Sequence, residues 1–505
     1  MNDVPWLTLL IAVPLLGAVV TGVVRTSAKQ LGLAFAGLTL LLGVVVATQF
    51  STGGGMQLEE QVTWIEPLGV HWALGVDGLG LLMVLLTVVL VPIVLVASWP
   101  DAEAESNVAS FVAWTLALEA MSLAVFTATD VFLFYVVFEA TLIPAYFLIG
   151  GFGRPGRNRA AVKFLVYQLA GGLIMLASVI GLYVVSAQQG SPSYLLSDLA
   201  SLDISQTAGR WLFLGFFIAF AIKAPMFPVH TWLPDTTEKA TTGTSVLLVC
   251  VLDKIGTFGM LRFCLGIFPE ASQWATPVVV VLALVSIVYG ALVAIGQDDV
   301  LRLIGLTSLS HFGFIVLGIF VFSSQGGAGA VLYMVNHGIG TAALFLLAGF
   351  LIRRSGTQLI SEMKGIEKVT PMLAGLFLVA GLAGAGLPGL APFVSELMVL
   401  ISAFNHAWWA GAVAVTAIVL AAVYMLWMYQ RTMTGPTAAV AEGLPDLGTR
   451  EVGAVAPLLL ALVLFGFFPM PLLNVINPYV ETTLAHVGVT DEPPVVPASD
   501  AGGQE

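Results

Sequence analysis

Charge is what this chain has least of. Asp, Glu, Lys and Arg make up only 10% of its 505 residues, against about 25% in a soluble domain. With 58% hydrophobic residues, no water-facing surface can be assembled, so the chain uses lipid as its solvent. Cysteine is nearly missing. Cys250 and Cys264 lie in one apolar segment and form neither a CxxC nor a disulfide framework. An iron–sulfur cluster takes four cysteines, so none is expected here. Positive charge is scarce as well: 18 Lys and Arg stand against 30 Asp and Glu, a net charge of -12. That leaves no basic patch for nucleic acid. No G-x-x-x-x-G-K-[ST] phosphate loop is present. Gly384 to Gly389 match G-x-G-x-x-G letter for letter, but they follow no expected strand and contain Pro388. The match reads as a helix break rather than a dinucleotide site. With no nucleotide site and no redox centre of its own, the chain must run on a second ion gradient or be driven by partner subunits.

Apolar runs are what it has most of. A membrane-crossing helix needs roughly 20 apolar residues, and fourteen such segments are legible, the first centred near Pro14 and the last near Val463. The expected fold is therefore all-α, a polytopic membrane protein of about fourteen transmembrane helices. Fourteen of the 18 Lys and Arg fall in the odd-numbered loops. By the positive-inside bias those loops face the cytoplasm and both termini lie outside. The first segment has no positive stretch before it, so it reads as a retained span rather than a signal peptide. The expected organisation is three helices in 1–107, a five-helix unit in 108–268, a second in 269–432, a last helix in 433–480 and an acidic, disordered tail in 481–505.

Against this background, ionisable residues inside spans need a reason. A charge at the bilayer centre costs about 2.5–3.5 kcal/mol on insertion scales. Glu139, Lys223, Lys254 and Glu396 lie well inside apolar runs, and His311 and His337 add two imidazoles. Glu119 carries a weaker signal. Asp253 reads as a partner for a neighbouring helix, and Arg262, toward a span end, as a snorkelling side chain. The plain alternative is that all of these are paired groups that only fix packing. Packing polar groups in membranes are more often Ser, Thr or Asn. Several acids, bases and imidazoles together favour an ion pathway.

Two of the charges sit beside prolines. Lys223 ends an apolar run and is followed by Pro225 and Pro228, while Glu396 follows Pro388 and Pro392. Proline removes a backbone donor and clashes with the preceding turn. The freed carbonyls must face protein or a wet cavity, because lipid offers no donor. Broken helices near mid-membrane are a mark of transporter sites. Lys223 and Glu396 are 173 positions apart, Glu139 and His311 172. A shared offset across five spans suggests two inverted five-helix repeats, each with a broken helix.

The strings DGLGLLMVLLT, VFLFYVVFEATLIPAYFLIG, IKAPMFPVHTWLPD, SHFGF, NHGIG and GLPGLAPFVSELMVL resemble the antiporter-like membrane subunits of respiratory NADH:quinone oxidoreductase (complex I) over about residues 70–475. The acid Glu396, where subunits L and N usually carry lysine, points to the subunit M branch, as does the lack of a long C-terminal extension. The resemblance implies a buried glutamate in the fifth span (Glu139), its lysine partner in the broken seventh (Lys223), a central lysine (Lys254), bridging imidazoles (His311, His337) and a terminal group (Glu396). It implies no cofactor in this chain, with flavin and iron–sulfur clusters in partner subunits. It also implies L- and N-type subunits as neighbours, protons as cargo and a bacterial cell membrane as location. DTTEKA, after the first break, departs from the Asp-Ala-His run of relatives. The competing expectation is a subunit of a multi-subunit Na+/H+ antiporter, which shares the same strings. A third is a structural spacer with silent charges.

Overall fold

The computed structural model describes residues 4–53, 55–99, 107–190 and 192–491. Among them, twelve helices are long and apolar enough to cross a bilayer. The two expected segments centred near Phe217 and Gly386 are not among the twelve, because each is divided. The first runs as Gln206–Lys223 and Trp232–Lys239. The second runs as Pro371–Gly384 and Ala391–His406.

The helices sort by burial. Trp6–Val23 and Ala28–Gln49 lie at the flank, and the latter turns a stripe of small residues inward: Ala28, Gly32, Ala36 and Gly43. Small residues four or seven positions apart share a helix face and let helices approach closely where lipid supplies no hydrophobic drive. At the other extreme, Thr242–Leu265 is buried at every position, Val300–Phe320 everywhere except Arg302, and Ser324–Ser355 without interruption from Gly326 to Leu351. These three central helices carry Lys254, His311 and His337.

The all-α architecture has one addition. Residues between the second and third helices form an antiparallel hairpin, β1 (Gln57–Ile65) and β2 (Val70–Val76), with Thr63 opposite His71. Glu60 of β1 accepts the Leu7 and Thr8 amides at 2.6 and 3.1 Å. It satisfies donors that the start of the first helix leaves free.

Three expectations are corrected. Arg262 does not snorkel: it is buried and donates to the buried Asp77 carboxylate at 2.7 Å. Asp253 finds no ion-pair partner on a neighbouring helix; its Oδ2 has no hydrogen-bond partner among the described residues. The tail expected from residue 481 is helical as far as Val487, as part of Met470–Val487. That helix packs Ile476, Tyr479, Val480 and Leu484 inward, and an apolar face of that kind is enough to order a polar sequence. The remainder of the tail, from residue 492, lies outside the described residues.

The divergent DTTEKA stretch forms a charge network. Asp235 accepts from Lys163 and from Arg302, each at 2.6 Å, and Glu238 accepts from Arg302 at 2.9 Å. It ties the second half of the first broken helix to Arg157–Gln188 and to Val300–Phe320.

Candidate functional site

Glu139, Lys223, Lys254 and Glu396 are each placed by a local irregularity in their helices, whereas His311 and His337 lie in uninterrupted ones. Pro144 cannot donate to the carbonyl four residues back, and the fifth span is accordingly divided into Val131–Ala140 and Leu142–Gly151 at Thr141. Glu139 sits one turn before Pro144. Its side chain lies so close to Gly172 that a Cβ there would collide with Oε1. Glu139 is half-buried, its Oε1 has no hydrogen-bond partner among the described residues, and it borders a groove of about 490 Å³ with Tyr146, Phe147, Leu165 and Leu169.

Lys223 is the last residue of its half-helix and is 1% exposed. Its ammonium donates to Thr141 Oγ1 at 3.2 Å and lies 4.7 Å from the centre of the Phe138 ring. No ion pair joins it to Glu139 among the described residues, although Glu139 and Asp253 are both within Coulombic reach. The carbonyls freed by Pro225 have protein partners. Met226 N–H donates to Ala221 at 2.9 Å, and the Trp232 indole N–H to Ile222 at 3.0 Å.

Lys254 lies between two π-helical stretches, Leu248–Leu252 and Met260–Leu265. Such bulges insert extra residues into a helix and recur at functional sites. Lys254 is fully buried, 2.6 Å from His337 Nδ1 and 4.3 Å from the Phe312 ring centre. When Lys254 is an ammonium it can only donate, and in that state Nδ1 accepts and the imidazole proton sits on Nε2. That Nε2 has no partner among the described residues. Asp253, next in the chain, lies within Coulombic reach of both Lys223 and Lys254.

Past the lysines come the imidazoles. The rings of His337 and His311 are 5.2 Å apart and nearly perpendicular. His311 Nε2 lies 3.4 Å from the Tyr424 hydroxyl, and its ring centre is 5.8 Å from that of Tyr333. Tyr333 donates to Glu396 Oε1 at 2.5 Å. Glu396 Oε2 packs against Gly386, which has φ 69°. Asn336 anchors the second half-helix, donating to the Ala391 carbonyl at 2.8 Å.

All six residues singled out from sequence thus come from six different helices. Lys254, His337 and His311 form one continuous group, Tyr333 and Tyr424 extend it to Glu396, and Asp253 lies between that group and Lys223. Glu119 is buried, but no hydrogen bond or ion pair links it to the others among the described residues. Sequence reasoning missed Thr141, Asn336, Tyr333 and Tyr424. Tyr333 and Asn336 had a signal: one lies a helical turn before His337, on the same face, and the other adjoins it. Tyr424 had none. Among the described residues, no group of three His, Cys, Asp or Glu is placed to hold a metal ion.

Comparison with known proteins identifies the family. Residues 128–421 match the family model described as "NADH:quinone oxidoreductase/Mrp antiporter, TM". The NADH-quinone oxidoreductase subunit M of Mycobacterium tuberculosis is 49% identical, with 98% of this chain and 97% of that protein covered. The subunit M of Rhodobacter capsulatus is 36% identical over 94% of this chain and 95% of its own length. Among solved structures, a chain of respiratory complex I from Thermus thermophilus with bound NADH superposes with a TM-score of 0.87 at 33% identity, covering 96% of this chain and all of that one. A chain of the Mrp complex from Dietzia shares the fold, with a TM-score of 0.85 at 24% identity over 96% of this chain and 99% of that one. The chain belongs to the NADH:quinone oxidoreductase/Mrp antiporter membrane family, as a subunit M of NADH-quinone oxidoreductase.

Proposed function

We propose that this subunit moves protons along Glu139, Lys223, Lys254, His337, His311 and Glu396, driven by redox chemistry at flavin and iron–sulfur centres in partner subunits. We place it in a bacterial cell membrane with both termini outside and related L- and N-type subunits as neighbours, and take the two broken helices as equivalent parts of inverted repeats. The observation that carries the reading is the convergence of these buried groups from separate helices, with Lys254 and His337 in direct contact.

The chemistry follows from coupling. A lysine holds its proton more tightly as a carboxylate approaches and less tightly as it withdraws into a desolvated site. Lys223 is now turned to Thr141 rather than to Glu139, so a swing of either side chain changes that coupling. Buried groups this close titrate as a set. Each charge moved against the membrane potential costs about 2.3 kcal/mol per 100 mV. A two-unit change in proton affinity supplies about 2.7 kcal/mol, so several coupled sites suit the load better than one.

Glu139→Gln tests the reading. In vesicles where the complex assembles, NADH-driven proton uptake should fall severalfold, and normal uptake would contradict it. The family model also spans Mrp antiporters. Sodium-dependent proton movement without NADH would favour that second reading, whereas co-purification with flavin and iron–sulfur proteins supports the first.

A further inference from the structure

His311 and Glu396 share no hydrogen bond among the described residues, and two phenols stand between them. We propose that Tyr424 and Tyr333 carry the proton between His311 and Glu396, as relay groups in their own right. The inference rests on the Glu/Lys/His reading above.

The geometry is specific at both ends. The Tyr424 hydroxyl is 3.4 Å from His311 Nε2, and the Tyr333 hydroxyl donates to Glu396 Oε1 at 2.5 Å. Both tyrosines are 1% exposed. The two phenols lie within Coulombic reach of each other, and Tyr424 within reach of Glu396. They come from different helices, Tyr333 from Ser324–Ser355 one turn before His337, and Tyr424 from Trp408–Met433. A packing role would need only the rings.

A hydroxyl is both donor and acceptor. It can therefore take one proton and release another in a single event. As the imidazolium N–H of His311 breaks, an O–H bond forms on Tyr424. The two hydroxyls share no hydrogen bond among the described residues, so the transfer waits until hydroxyl rotation or a water bridges them; the original Tyr424 proton then passes to the Tyr333 oxygen, and the original Tyr333 proton passes to Glu396 Oε1. His311 ends neutral, Glu396 ends as a carboxylic acid, and both phenols end as they began. Rotation about the phenol C–O bonds resets the relay. A lysine in either place would add a fixed charge, and a phenylalanine would carry nothing.

The test uses Tyr333→Phe and Tyr424→Phe in the complete complex, in inverted membrane vesicles, beside Glu139→Gln. Each Tyr→Phe change removes one oxygen and keeps the ring. Protons taken up per NADH oxidised should fall severalfold in each. In Tyr333→Phe the infrared carboxyl band of protonated Glu396 should also move to higher frequency, a shift that a ring-packing role would not produce. If Tyr333→Phe fails to assemble, Tyr424→Phe, which makes no hydrogen bond to Glu396, decides the matter alone. Wild-type proton yield in an assembled Tyr424→Phe complex, with Glu139→Gln impaired, overturns the relay and leaves the wider reading standing. Wild-type yield in Glu139→Gln brings down both.

Discussion

Glu139 and Glu396 are seated by the same device: each carboxylate occupies space that only a residue without Cβ leaves open. A Cβ on Gly172 would collide with Glu139 Oε1, and one on Gly386 with Glu396 Oε2. Gly386 carries a second constraint, its φ of 69°. An L-residue in a left-handed conformation costs about 1–3 kcal/mol, and here the new methyl would also displace the acid from Tyr333. Gly386→Ala should therefore lower the melting temperature of the assembled complex and reduce proton yield. Gly375→Ala is the control, since it lies on the preceding half-helix with nothing within 4 Å of its Cβ position. Equal behaviour of the two variants would show that the seat is not needed. Buried lysines follow a related rule. Lys223 and Lys254 each lie against an aromatic face, Phe138 and Phe312, where a cation is attracted by the ring quadrupole.

At the scale of elements, the breaks are the informative parts, because a helix end in lipid has to be satisfied by protein. At the first break Trp232 and Met226 close the carbonyls. At the second, Asn336 holds the start of Ala391–His406. The far end of Pro371–Gly384 is held by Asp446, which accepts from the Met372 and Leu373 amides at 2.8 and 3.0 Å. Partial burial disfavours the charge on Asp446, but the amides of Met372, Leu373 and Leu447, with Arg354 nearby, outweigh it and hold the carboxyl below the usual range. A depressed folded-state value means that this contribution is complete at neutral pH and disappears as pH falls through that value. Asp446→Asn should loosen the half-helix by about 0.3–1 kcal/mol, the range for a charge at a helix N-terminus. The gap from wild type should close in acid. Amide hydrogen exchange over residues 371–384 at neutral and acidic pH reads this out, and a gap that persists in acid would contradict it.

At the scale of the whole molecule, the three central helices carry Lys254, His311, His337 and Tyr333, the surrounding helices bring Glu139, Lys223, Glu396 and Tyr424 toward them, and the exposed apolar residues ring the outside. The basic residues predict which way the bundle sits. Val4→Cys should react with a membrane-impermeant thiol reagent only from outside the cell, and Ser361→Cys only from inside. Cys250 and Cys264 are buried and give little background. The reverse pattern would invert the topology. Much of this was legible in the sequence: lipid as solvent, the helical segments, the two broken ones and the placing of six titratable residues within apolar helices. These follow from per-residue properties, namely the transfer cost of a side chain and the backbone donor that proline removes. Other features were not legible, among them the β-hairpin register, the Arg262–Asp77 pair and the phenols beside Glu396. Lys254 meets His337 across 83 positions, Tyr333 meets Glu396 across 63 and Arg262 meets Asp77 across 185. A side chain's intrinsic cost is written in its own residue, but the partner that offsets it is chosen by how distant helices pack, and only the tertiary structure decides that.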